Sequence, residues 1–90
     1  MTAEQKQILR DALLAALVVS APLSLPLATL LATAKAAGFR LTNEELEQHL
    51  DYLVKRGFAR LPVGRTLSAG VKRWESTAEA VDYCEAEGLV

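Results

Sequence analysis

From Ala12 to Ala34 the chain runs for 23 residues without a charged side chain, which is long enough for one apolar helix to cross a bilayer. The middle of the run argues against that reading. Ser20-Ala21-Pro22-Leu23-Ser24-Leu25-Pro26 sets two prolines and two serines where a membrane helix would lose backbone hydrogen bonds with no water to replace them. The run is therefore predicted to be two buried helices joined by a turn. With 90 residues, about half of them apolar, the chain matches one small soluble domain with a single core and no second domain.

Helix signals are written into both flanks of this run. Thr2 followed by Gln5 spells a capping box, and Ile8, Leu9, Ala12, Leu13, Ala16 and Leu17 recur at helical spacing, which predicts a first helix from about Ala3 to Val19. Its second half, Leu13 to Val19, is apolar on every side, as expected for burial all round or for a face kept for a partner, and so points to a homodimer. Leu23-Ser24-Leu25 is held extended by its prolines and is predicted to lend a short strand; Pro26 suits the first turn of a second helix reaching Ala37. Gly38 stands where a left-handed cap is needed, and Thr42-Asn43-Glu44-Glu45 spells a second capping box, leaving Gly38-Phe39-Arg40-Leu41 as a short helix-to-helix turn.

The third helix keeps Leu46, Leu50, Leu53 and Val54 on one stripe and stops at Gly57. Two short strands are predicted next, over Phe58 to Val63 and Val71 to Glu75, around a Gly64 to Gly70 loop. Ser76-Thr77-Ala78-Glu79 reads as a third capping box opening a last helix through Ala78, Val81, Cys84 and Ala86 to Gly88. Trp74 and Phe58 follow the strand alternation expected of core residues.

This order of elements, together with His49-Leu50-Asp51-Tyr52-Leu53-Val54-Lys55-Arg56-Gly57-Phe58-Ala59 and Trp74-Glu75-Ser76-Thr77, resembles the small winged helix-turn-helix regulators of bacteria and phages over about Leu23 to Leu89. The resemblance implies an α+β domain over residues 1–90: a helix-turn-helix at about 26–56, a β-hairpin wing at about 58–75 and a closing helix at about 77–87. It also implies a third helix able to enter a DNA major groove and a wing able to touch the backbone or minor groove.

DNA affinity rests first on cations facing phosphates, and here the charges divide by element. The third helix, Asn43 to Arg56, holds four acids against two bases, and each acid near a phosphate meets repulsion on the order of 1 kcal/mol in water. The wing holds Arg60, Arg65, Lys72 and Arg73 against Glu75 alone, four bases less one acid, or plus three. The leading expectation is thus a DNA-binding or transcription-regulatory protein. Its candidate contacts are Asn43 and Gln48 at base edges, with Lys55, Arg56, Arg60, Arg65, Lys72 and Arg73 at phosphates. The alternative is a protein-interaction module that uses the acidic third helix and the apolar first helix and binds no DNA.

Other chemistries have little to stand on. Net charge is −1, so no global field draws the chain to nucleic acid or an anionic membrane. Cys84 and His49 are alone of their kind, too few for a structural zinc site or a nucleophile with its base. Cys84 is expected to be a small buried hydrophobe and His49 a boundary residue. No glycine-rich phosphate loop occurs. A non-enzymatic protein without cofactor or metal is expected, and one cysteine with no secretory signal points to the cytoplasm.

Overall fold

The computed structural model describes residues 1–62 and 72–90. Among these residues four helices and three short strands follow one another as α1 (Ala3–Ser20), β1 (Leu25–Pro26), α2 (Leu27–Ala36), α3 (Asn43–Lys55), β2 (Ala59–Arg60), β3 (Arg73–Ser76) and α4 (Ala78–Ala86). The charge-free run is divided as its prolines require: α1 ends at Ser20, and the following turn contains a cis Ala21–Pro22 peptide bond. Among the described residues no helix is long and apolar enough to cross a membrane.

Two capping boxes form as their spacing predicts. Thr2 Oγ1 accepts from Gln5 N at 3.1 Å while Gln5 Oε1 accepts from Thr2 N at 2.9 Å. Thr42 and Glu45 repeat the arrangement at 3.1 and 2.9 Å. Each box satisfies two backbone donors that the first helical turn cannot. Gly38 takes φ +95°, so the chain reverses after α2 through a conformation that a Cβ would penalise.

The wing strands, expected over Phe58 to Val63 and Val71 to Glu75, are Ala59–Arg60 and Arg73–Ser76 among the described residues, and three further expectations shift by one or two residues. The first strand lies at Leu25–Pro26, not Leu23 to Leu25, because its partner sets the register: Leu25 faces Trp74 and Pro26 faces Arg73. Pro26 is consequently the extended N-cap of α2 rather than a residue of its first turn. The third capping box does not form. Thr77, not Ser76, caps α4, with Oγ1 accepting from Ala80 N at 3.3 Å and donating to Gly57 O at 2.6 Å. The buried stripe of α4 accordingly runs through Ala80 and Cys84, while Ala78 and Ala86 are exposed.

The sheet is antiparallel with strand order β1-β3-β2, β3 lying in the middle and carrying Trp74 inward. Leu9, Leu13, Leu14 and Leu17 of α1, Leu30 and Ala34 of α2, Leu46, Leu50 and Leu53 of α3, and Cys84 of α4 close around it. Each such leucine withdraws enough apolar surface to stabilise the fold by roughly 1.5–3 kcal/mol. Val54 and Phe58 stand at the edge of this core, Phe58 with its ring centroid 5.1 Å from that of Tyr83. The expected tip loop, Gly64 to Gly70, falls outside the described residues.

Candidate functional site

Packing of α3 against α1, α2 and β2 leaves Glu44, Gln48, Asp51 and Lys55 exposed. These residues recur at helical spacing and form the outer face of α3. Asn43 is exposed at its start and Arg56 at its C-cap. These six residues put two acids, two bases and two amides within reach of a partner.

The described cations of the β2–β3 ribbon are exposed, and each meets a partner at the surface. Arg60 pairs with Glu75, its cross-strand neighbour. Lys72 Nζ reaches Glu47 Oε1 at 3.5 Å. Arg73 donates twice to Ser24, through Nε to Oγ and through Nη2 to the backbone carbonyl, both at 2.8 Å. This last contact fastens β3 to the segment leading into β1. Arg65 lies outside the described residues. Of the remaining predicted cations, Arg56 donates to Tyr52 Oη at 2.9 Å, and Lys55 makes no ion pair among the described residues. The sequence carried no sign that Glu47 and Ser24 would reach the ribbon, since each lies far from its partner along the chain.

A second cluster, at the meeting of α1, α3 and α4, was not anticipated. The Arg10 guanidinium lies 3.7 Å above the Tyr52 ring, a cation–π stack. Tyr83 Oη donates to Asp11 Oδ1 at 2.9 Å, and Gln7 Nε2 donates to both Asp11 Oδ1 and Tyr83 Oη at 2.8 and 2.9 Å. Burial, then the Asp11 bond, pushes the Tyr83 phenol up to about 12. These groups line an open concavity of about 270 Å3 that also holds Arg56 and Glu87. With both signs present and most of the polar groups bonded to each other, the cluster ties α4 and α3 to α1.

His49 sits at the core boundary beside α1. Burial lowers its pKa, with Arg10 and Lys6 adding to the effect and Glu45 opposing it, so the imidazole is neutral at pH 7. Burial and Asp11 raise the pKa of the Cys84 thiol, which keeps it protonated and unreactive. Among the described residues no group of three or more His, Cys, Asp or Glu side chains is placed to hold a metal ion.

The outer face of α1 differs from the other helix surfaces. Ile8, Ala12, Ala15 and Val19 fall within about 60° of arc roughly opposite the buried leucines of the same helix. Ile8 is 54 % exposed and Val19 73 % exposed, and Leu23 in the turn that follows is 69 % exposed. From Ala12 to Ser20 the helix has no charged side chain to solvate this side.

No family model matches the chain, and no curated protein matches it. Among solved structures, a crystal structure of human N-acetylserotonin methyltransferase in complex with SAM is similar over 86 % of this chain and 21 % of that one, with a TM-score of 0.59 and 20 % sequence identity. The chain thus spans about a fifth of the length of that methyltransferase, and at such low identity the likeness is one of fold alone.

Proposed function

We propose that the chain is a winged-helix protein-interaction module whose contact surface is the outer face of α1. The winged-helix reading is supported by the helix order, the α2–turn–α3 pair and the placing of β1 beside the β2–β3 ribbon. The observation that carries the interaction reading is the solvent exposure of Ile8 and Val19 on the side of α1 opposite its buried leucines, with Leu23 exposed in the turn that follows. An exposed apolar surface of this kind is a net cost in water until a partner covers it. The outer face of α3, with Glu44, Asp51, Lys55 and Arg56 exposed, is a second, charged surface open to a partner.

A photo-crosslinking residue at position 19, in cells that make the chain, is expected to give discrete protein adducts; the same residue at position 48, on the α3 outer face, serves as the comparison. An absence of adducts from position 19 would remove the reading.

DNA contact is the second reading, and the exposure of Asn43, Gln48, Lys55 and Arg56 favours it. Arg60, Lys72 and Arg73 are exposed and would have to exchange surface contacts for phosphates, so binding of random duplex DNA is expected to be weak and to fall with salt. Fluorescence anisotropy at two salt concentrations decides it. Tight binding that falls steeply with salt would favour DNA over the interaction module.

A further inference from the structure

Beyond the outer face of α1, and independently of it, we infer that the groove between the end of α2 and the turn into α3 receives an acidic protein segment. The segment inserts one large apolar side chain and sets carboxylates against Lys35 and Arg40. The groove has a volume of about 360 Å3 and is lined by Leu31, Lys35, Phe39, Arg40 and Leu41. Leu31, Phe39 and Leu41 are half-buried and pack against the core, while Lys35 and Arg40 are exposed. No acid is among the lining residues.

The sequence builds this groove from neighbouring pieces. From Ala12 to Asn43 the chain has no acid, and Lys35 and Arg40 are its only charges. Leu31 and Lys35 stand four residues apart on one side of α2. Gly38, at φ +95°, turns the chain back so that Phe39 and Leu41 come alongside them. Gly38 N donates to Lys35 O and Phe39 N to Ala34 O, both at 3.0 Å. The backbone thus holds the groove in shape before a partner arrives, and little order remains to be imposed on binding.

Neither cation has a carboxylate partner. Among the described residues Lys35 and Arg40 make no ion pair, whereas Arg60 pairs with Glu75 and Lys72 with Glu47. Lys35 suits the last turn of α2, where a cation faces the helix C-terminus, but Arg40 lies beyond that helix and has no such role. Two cations over an apolar floor match carboxylates on either side of a leucine or an aromatic ring. They are too few for a polyanion, since nucleic-acid affinity grows with the number of cations facing phosphates and a membrane surface is held by several bases along an amphipathic helix. An acidic protein segment supplies both chemistries in one short stretch.

NMR amide spectra of the isotope-labelled full chain test this, the probe being a short synthetic peptide with one leucine between two glutamates on each side. The peptide should shift the amides of Leu31, Lys35, Phe39, Arg40 and Leu41 with a dissociation constant of about 0.1–1 mM, and salt should weaken it. Serine in place of the peptide's leucine, or glutamines in place of its glutamates, should each weaken binding several-fold. In the chain, K35E/R40E should weaken binding at least about tenfold. The same variant should take up a peptide with lysines in place of the glutamates, a gain that an unfolded chain could not show.

An absence of shifts at about 5 mM peptide overturns the inference, and so does binding that K35E/R40E leaves unchanged. Shifts centred on Ile8 and Val19 would carry the acidic peptide to α1 and leave the groove without it. Short duplex DNA, or vesicles of phosphatidylcholine and phosphatidylglycerol, moving the groove amides where the peptide does not would assign the groove to phosphates and overturn the protein partner. Groove amides that move when the chain alone is concentrated would assign it to a second copy, with the same result. None of these readouts depends on crosslinking at position 19, so failure here leaves interaction through α1 standing.

Discussion

α1 and α3 bury leucines at the same kind of spacing, Leu9, Leu13 and Leu17 on one and Leu46, Leu50 and Leu53 on the other, yet they turn opposite kinds of surface to solvent. The outer side of α3 is Glu44, Gln48, Asp51 and Lys55, a solvated helix face. That of α1 is Ile8, Ala12, Ala15 and Val19. Their core sides do the same work, so folding the single chain accounts for one side of α1 and both sides of α3. The two helices thus differ in their outer sides and not in their core sides.

If that equivalence of core sides holds, the largest effects should be matched. Leu13→Ala and Leu50→Ala each remove a fully buried side chain and are expected to cost about 2–5 kcal/mol, a large share of the stability of a domain this small. Urea unfolding at low protein concentration measures both. A loss at Leu13 less than half that at Leu50 would mean that α1 is not an equal part of the core, and the comparison would fail.

The caps separate the two helices by a smaller margin. Thr42→Ala breaks a capping box that also fixes the turn from Gly38 to α3 and should cost about 1 kcal/mol. Thr2→Ala breaks the same box where residues 1–8 are all exposed, and should cost less than half as much. Equal losses in thermal unfolding would show that the first turn of α1 is as firmly held as that of α3.

These caps were legible in the sequence because their chemistry is complete within four residues, as it is for Thr2 with Gln5 and Thr42 with Glu45. Gly38 was legible for the same reason. The third box was misread because Ser76 and Thr77 are adjacent candidates, and the choice is made by the hydroxyl of Thr77 reaching the carbonyl of Gly57, 20 residues away. The buried stripe of α4, through Ala80 and Cys84 rather than Ala78, is likewise set by packing against α1. The strand at Leu25 was displaced for a similar reason, its register being set by Trp74. In the candidate site, the charge of each residue was readable but its partner was not: Arg73 joins Ser24 and Lys72 joins Glu47 only after the ribbon has packed. Local signals fix caps and turns, while long-range contacts decide which cations remain free.

The seam between α1 and α4 offers a prediction that depends on pH. Tyr83 has its phenol raised to about 12 in the folded chain from an ordinary 10, so folding favours the protonated form. The corresponding stability is fully present below pH 10 and is lost as pH rises through 12. Tyr83→Phe removes the bond to Asp11 and should cost about 0.5–1.5 kcal/mol at neutral pH. It should also abolish the alkaline loss, so the two stability curves converge above pH 10. Parallel curves in urea titrations at pH 8 and pH 11 would show that Tyr83 is not held by Asp11 as described, and that α1 binds α4 through its leucines alone.

The smallest effect bears most directly on the two outer faces. At high dilution, Val19→Ser and Asp51→Ser should each change stability by no more than about 0.5 kcal/mol, since neither side chain supports the monomer. Concentration then separates them. Association that stabilises only the folded form raises the melting temperature with protein concentration, so if copies of the chain pair through α1, the unaltered chain and Asp51→Ser should both melt higher as concentration increases, and Val19→Ser should rise less, because it puts a hydroxyl on that face. Were Asp51→Ser the variant that lost this dependence, the shared surface would be the outer face of α3, and the contrast between the helices would be reversed.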